Sequence, residues 1–276
     1  MYLVQGAAEA IIISGGMSCI IPDVLRQFRE FGIDQGRITK LLILHSHFDH
    51  VGIVPYFARK NPGLTVYASP RAWEILSMPR ALDTINFYSR ATMEIMGVRE
   101  EQLPAAEDHE WRDDIRGLTV RDGDRLDVGG LTVSIIETPG HSSCCLSAYV
   151  PELKALFPSD AGGIPYGNDI IPSGNSNYTQ YQESLEKLEK LEIRYACADH
   201  FGYITGEEAE AYMTASIDAA GTFRTLMERT YRRTGDIDRA VQLLVAAALK
   251  ARPDYFLPQD ILTGVYRQMV RHIANT

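Results

Sequence analysis

Basic charge is scarce in this chain. Its 276 residues hold 27 Lys and Arg against 36 Asp and Glu, a formal net charge of -9. A phosphate-rich partner calls for a basic face, so the composition argues against nucleic acid and against an anionic membrane. Long apolar runs are missing too, and none reaches the length that spans a bilayer. The opening MYLVQGAAEAIIISGG has no basic start and carries Glu9 inside its apolar part, unlike a secretory leader. Cysteine is sparse, and Cys19, Cys144, Cys145 and Cys197 show no CxxC spacing. Without an export signal they read as free thiols of a cytoplasmic protein. With 45% hydrophobic and 23% charged residues, the chain is ordinary for one large globular domain with an attachment.

The most informative stretch is LLILHSHFDHVG, residues 41–52. Four aliphatic residues read as a buried strand that delivers His45, His47, Asp49 and His50. In extended chain the side-chain period is two, so His45 and His47 point the same way. Asp49 and His50 fall where the chain leaves the strand. This suits two neighbouring metal sites, one served by His45 and His47 and the other by Asp49 and His50. Imidazole and carboxylate suit zinc, iron or manganese. A single His at a strand end is usually a surface residue, but four ligand-type residues in six positions are not.

This stretch resembles the HxHxDH motif of the metallo-β-lactamase superfamily, which includes glyoxalase II. The resemblance implies a four-layer αββα sandwich of the α/β (α+β) class, and it makes further demands downstream. Thr138-Pro139-Gly140-His141 is similar to the next ligand motif, so His141 is expected to join His45 and His47 on one metal. Phe157-Pro158-Ser159-Asp160 is similar to the family's F-x-G-D, with Ser159 in place of Gly. Asp160 is then the carboxylate bridging both metals. That residue points away from β-lactam hydrolysis and towards the glyoxalase II and lactonase branch. His200, after a strand at 193–198, is expected to complete the second site with Asp49 and His50. Asp199 either orients a ligand or is simply exposed. Likeness to lactonases makes Tyr166 a catalytic candidate beside Asp49 and Asp160; the alternative is a tyrosine packed with its hydroxyl in water.

Along the chain, short strands are expected at 2–4 and 9–14 and a helix at 22–31. The motif strand should run over 38–44, followed by a helix at 51–60 and a strand at 64–68. Many family members carry another strand ahead of the two opening strands. Residues 70–103 read as a helical insertion, with one helix over about 80–96 rich in Met and aromatic residues. Residues 108–114 read as a charged, solvated connection, and His109 and His272 as surface residues. Cys144 and Cys145 read as small buried residues on a strand. The catalytic domain is expected to end near residue 206. Helices at about 207–230, 236–250 and 258–272 form a C-terminal extension. Their apolar faces must pack on the core domain or on a second subunit, giving a lid or a homodimer element.

The resemblance implies a dinuclear hydrolase holding two divalent ions, zinc first, with iron or manganese served by the same ligands. A hydroxide shared by the metals would attack a small-molecule ester-like substrate, a thioester or lactone before a phosphodiester. Two other readings are a mononuclear iron persulfide dioxygenase and a non-catalytic metal-containing sensor or interaction protein.

Overall fold

The computed structural model describes residues 1–255 and 257–276, Glu100 by its backbone alone. The elements run β1 (Tyr2–Gln5), β2 (Ala10–Ile13), α1 (Ile21–Glu30), β3 (Ile38–Leu42), α2 (Phe48–Val51), α3 (Val54–Lys60), β4 (Thr65–Ala68), α4 (Pro70–Leu76) and α5 (Pro79–Ile95). Next come α6 (Ala106–His109), β5 (Leu118–Thr119), β6 (Arg125–Val128), β7 (Leu131–Glu137), β8 (Leu146–Val150), β9 (Ala155–Phe157), β10 (Ile164–Tyr166) and β11 (Asp169–Ile171). The chain closes with α7 (Tyr178–Leu188), β12 (Tyr195–Cys197), β13 (Tyr203–Thr205), α8 (Glu207–Thr234), α9 (Ile237–Ala251) and α10 (Gln259–Ala274).

Strand alternation builds the layers. The first sheet has the order β1-β2-β3-β4-β5 and the second β13-β12-β9-β8-β7-β6. Along the motif strand, Leu41 and Ile43 face the helices α1 and α3. Leu42 and Leu44 face the opposite way and meet Val133, Ile135, Leu146 and Ala148 of the second sheet. The period of two thus divides one aliphatic run between two cores. On the outer face of the second sheet, Leu156 and Ala196 pack against α7 and the three C-terminal helices. The result is a four-layer αββα sandwich.

Regular pairing in β3 stops at Leu42, two residues earlier than the run of aliphatics implies. The Ile43 amide donates to the Tyr67 carbonyl (2.8 Å), while the Leu44 carbonyl accepts from Leu146 of the other sheet (2.8 Å). The chain therefore stitches the two sheets together just before His45.

Residues 108–114 are not a solvated link. Trp111 is buried and its indole N–H donates to the Val51 carbonyl at 2.8 Å. His109 is buried as well, with Nδ1–H shared between the Pro104 and Ala105 carbonyls. His272 is half-buried and accepts from Thr179. All four cysteines are buried free thiols, and Cys144 and Cys145 lie just ahead of β8. No helix of the described residues is long and apolar enough to cross a membrane.

The C-terminal helices spend their apolar faces on the chain itself. Tyr212, Met227, Val241, Leu244 and Met269 share one core with Tyr178, Tyr181 and Leu185 of α7. The first of them also grips the chain after Asp160: Tyr212 and Ser216 donate to the Gly163 and Gly162 carbonyls, each at 2.8 Å.

Candidate metal centre

Four loops meet at one edge of the sandwich. His45, His47, Asp49 and His50 leave β3 and enter the short α2. His141 sits between β7 and β8, Asp160 in the turn after β9, and His200 between β12 and β13. Antiparallel β7-β8-β9 pairing makes β7 and β9 run alike, and β12 pairs parallel with β9. All three of those loops therefore open at the same edge. The first loop is pinned by the Gly15-Gly16 corner: Gly15 N–H donates to the His50 carbonyl and Gly52 N–H to the Gly16 carbonyl, each at 2.7 Å.

The side chains converge in two groups, His45/His47/His141 and Asp49/His50/His200. In the first, His141 Nδ1–H donates to the Ser173 carbonyl (2.8 Å), which leaves Nε2 as a lone pair 3.0 Å from His47 Nδ1. In the second, Asp49 Oδ2 lies 3.2 Å from His50 Nε2 and 3.6 Å from His200 Nε2. Asp160 stands between the groups. Its Oδ2 is 3.4 Å from His141 Nε2 and 3.5 Å from His50 Nε2, and its Oδ1 is 3.4 Å from His200 Nε2.

Three of these buried atoms have no hydrogen-bond partner: His45 Nε2, His50 Nε2 and Asp160 Oδ1. Unpartnered buried polar atoms are costly, and here they face one another. No Lys or Arg of the described residues pairs with Asp49 or Asp160; histidines alone do. Ligand atoms about 2.0–2.1 Å from a tetrahedral ion lie about 3.3 Å apart, close to the separations seen. The donor set therefore fits divalent cations.

The electrostatics agree. Burial, then crowding by neighbouring imidazoles, pushes His45 well below the usual imidazole range and His47 down to about 4. Burial lowers His141 too. His47 has an exposed edge, but it faces into the cavity described below. These rings are neutral lone-pair donors. For His50 and His200 burial also pulls down, but Asp49 and Asp160 for the former, and chiefly Asp160 for the latter, outweigh it and raise the pKa. The buried Asp160 and the half-buried Asp49 thus demand positive charge.

Residues 1–200 match the family model of the metallo-beta-lactamase superfamily. The chain belongs to that superfamily. Among solved structures, the Thermus thermophilus family protein TTHA1429 superposes at a TM-score of 0.68, with 19% identity over 99% of this chain and 88% of that one. TTHA1623, solved in a di-iron-bound form, gives a TM-score of 0.52 with 22% identity, covering 74% of this chain and 88% of that one. The fold-containing protein ST1585 of Sulfurisphaera tokodaii is 22% identical over 77% of this chain and 76% of its own. An Aspergillus fumigatus atrochrysone carboxyl ACP thioesterase is 22% identical over 86% of this chain and 62% of its own length.

Behind its ligand-type residues, this superfamily member carries a hydrogen-bonded layer. The Ser159 hydroxyl donates to Asp199 Oδ2 at 3.1 Å, so its one proton is spent. His45 Nδ1, 2.9 Å from that same hydroxyl oxygen, must donate to it. His50 Nδ1–H donates to Asp199 Oδ2 at 3.0 Å. One hydrogen-bond arrangement thus holds both rings by Nδ1 and turns Nε2 inward. Asp199 also falls within ligand distance of His45 and His50, but these bonds make it the residue that orients them. Its side chain is only 2% exposed, so it is not a surface group.

Ser159 is the residue that sequence reasoning undervalued. It adopts φ +53°, the left-handed region that a Gly enters freely. The only signal was its place at the family's Gly. Exchanging Ser159 for Ala keeps the backbone cost and deletes the bridge. We expect zinc affinity to fall by about 10–100-fold, read by chelator competition; unchanged affinity would show the bridge to be incidental. Tyr166 is not brought to the centre. Its hydroxyl donates to the Asp254 carbonyl at 2.9 Å, and its ring packs edge-on against Phe201 and Tyr255.

A cavity of about 730 Å³ opens over the ligand groups, with His47, Asp49, His141, Asp160 and His200 at its floor. One wall comes from α5 and the facing wall from α10, segments that are far apart in sequence.

Proposed function

We propose that the chain is a metal-dependent hydrolase holding two divalent ions. His45, His47 and His141 would hold one, Asp49, His50 and His200 the other, and Asp160 would serve both. The carrying observation is the convergence of three unpartnered buried atoms, one from each of His45, His50 and Asp160. When bound, such ions supply a water acidified towards neutrality and polarise a carbonyl or phosphoryl oxygen. The chain does the rest. Ser159 and Asp199 hold the imidazoles in one tautomer, and Ser173 does the same for His141. The apolar cavity walls exclude bulk water and strengthen every charge interaction at the floor. We favour a thioester or lactone substrate over a phosphodiester. The thioesterase among the relatives supports this choice, and the di-iron relative supports two ions of zinc, iron or manganese. Tyr166 would take part only after releasing Asp254.

Elemental analysis of protein purified without added metal tests the proposal. We expect about two equivalents per chain and hydrolysis that disappears on chelation and returns with metal. Affinity should rise with pH. An ion binds only deprotonated imidazole, and the neighbouring carboxylates raise the pKa of His50 and His200 in the metal-free protein, so protons compete with the ion as pH falls. A chelator titration at pH 6 and pH 8 should therefore show tighter binding at pH 8, with proton release on loading. A single bound iron, or affinity that falls as pH rises, would overturn the two-site assignment.

A further inference from the structure

The cavity above the ligand groups is larger and more apolar than cleavage of a small polar ester requires. From α5 it is lined by Ala81, Ile85 and Tyr88, and from α10 by Ile261, Val265 and Met269. Ile85 and Met269 are themselves buried, so these walls are built from packed helices. A volume of about 730 Å³ falls in the range of clefts that enclose most of a ligand's surface. At the floor Ser46, Ser142, Ser173 and Asn175 ring the ligand residues, and Arg80, Thr84 and Gln268 add polar groups to otherwise mainly apolar walls. Resting on the hydrolase reading above, we infer that the substrate is an ester or thioester with a bulky apolar group, roughly eight carbons or more, next to the scissile bond. That group lies between α5 and α10 while the carbonyl faces the ligand residues. Hydrolysis adds one water across the bond and yields a carboxylic acid and an alcohol or thiol, with no redox partner.

Three esters test this: ethyl acetate, ethyl octanoate and octyl acetate, followed by acid release on zinc-loaded protein. Burial of each added methylene is worth roughly a fourfold gain. We expect kcat/KM for one of the two long esters to exceed that for ethyl acetate by at least about a hundredfold. Preference for ethyl octanoate places the apolar group on the acyl side, and preference for octyl acetate places it on the alcohol side. Ala81→Trp and Val265→Trp fill the cavity from opposite walls. Each should erase most of the preference, read as the ratio of long-ester to ethyl acetate kcat/KM, and either variant alone suffices if the other does not fold. Equal rates on all three esters would overturn the inference and leave the hydrolase reading standing. If none of the three is cleaved, simple oxygen esters are excluded as substrates. The cavity is then judged by calorimetry with octanoate: binding weakened by the same variants upholds the apolar seat, and no binding refutes it.

Discussion

Asp160→Asn is expected to abolish most activity and to lower metal content from about two equivalents to about one, without unfolding the chain. Among the described residues, Asp160 is the one carboxylate whose oxygens lie within 3.5 Å of imidazoles from both groups. Asn keeps the shape and one acceptor but loses the charge. Losing one preorganised electrostatic group at a reacting centre costs roughly a hundred- to a thousandfold in rate. Elemental analysis, a steady-state assay and circular dichroism on the same sample separate the outcomes. Full activity in a folded Asn variant would remove Asp160 from the proposed centre. Loss of activity in the folded variant would exclude a purely structural metal site, and with it the sensor reading.

The second large effect is expected at Gly140. Its φ is +127°, and an added Cβ would stand 2.2 Å from the Tyr181 nitrogen and 2.4 Å from the Tyr181 Cα. Nothing flexible can give way, because those atoms are backbone of α7. The same contact locks the His141 loop: the Gly140 carbonyl accepts from the Ser176 and Asn177 amides, each at 2.9 Å. Gly140→Ala combines strain in a disfavoured backbone region with overpacking, together about 3 kcal/mol or more. A urea unfolding curve should show a lower midpoint, and the first ligand group should bind metal poorly. An unchanged midpoint would mean that α7 can step aside.

The centre was legible in the sequence because four ligand-type residues sit in one loop directly after an aliphatic run. Asp160 and His200 could be placed only through family spacing, since a single Asp or His after a strand carries little information. Ser159 looked like a departure from that spacing. Its hydroxyl matters only because the fold brings His45 and Asp199 to either side of it. The segment holding His109 and Trp111 misled for a related reason. Its dense charges, Glu107, Asp108, Glu110, Arg112, Asp113 and Asp114, hide two residues that turn inward. The end of β3 was set too late because Ile43 and Leu44 keep the aliphatic pattern while bonding to different sheets. The apolar residues of α5 were readable as core or as pocket wall. The choice between them depends on where α10 lies, and no local pattern encodes that.

The two walls of the cavity carry none of the proposed ligands, and the loops that carry the ligands contribute little to its walls. Inheritance can therefore treat them separately. A substitution on the inner face of α5 or α10 reshapes what fits without touching the strand ends that gather His45, His141, Asp160 and His200. A lineage with this architecture can drift from one substrate to another by small steps in helices, each intermediate keeping its reactive centre.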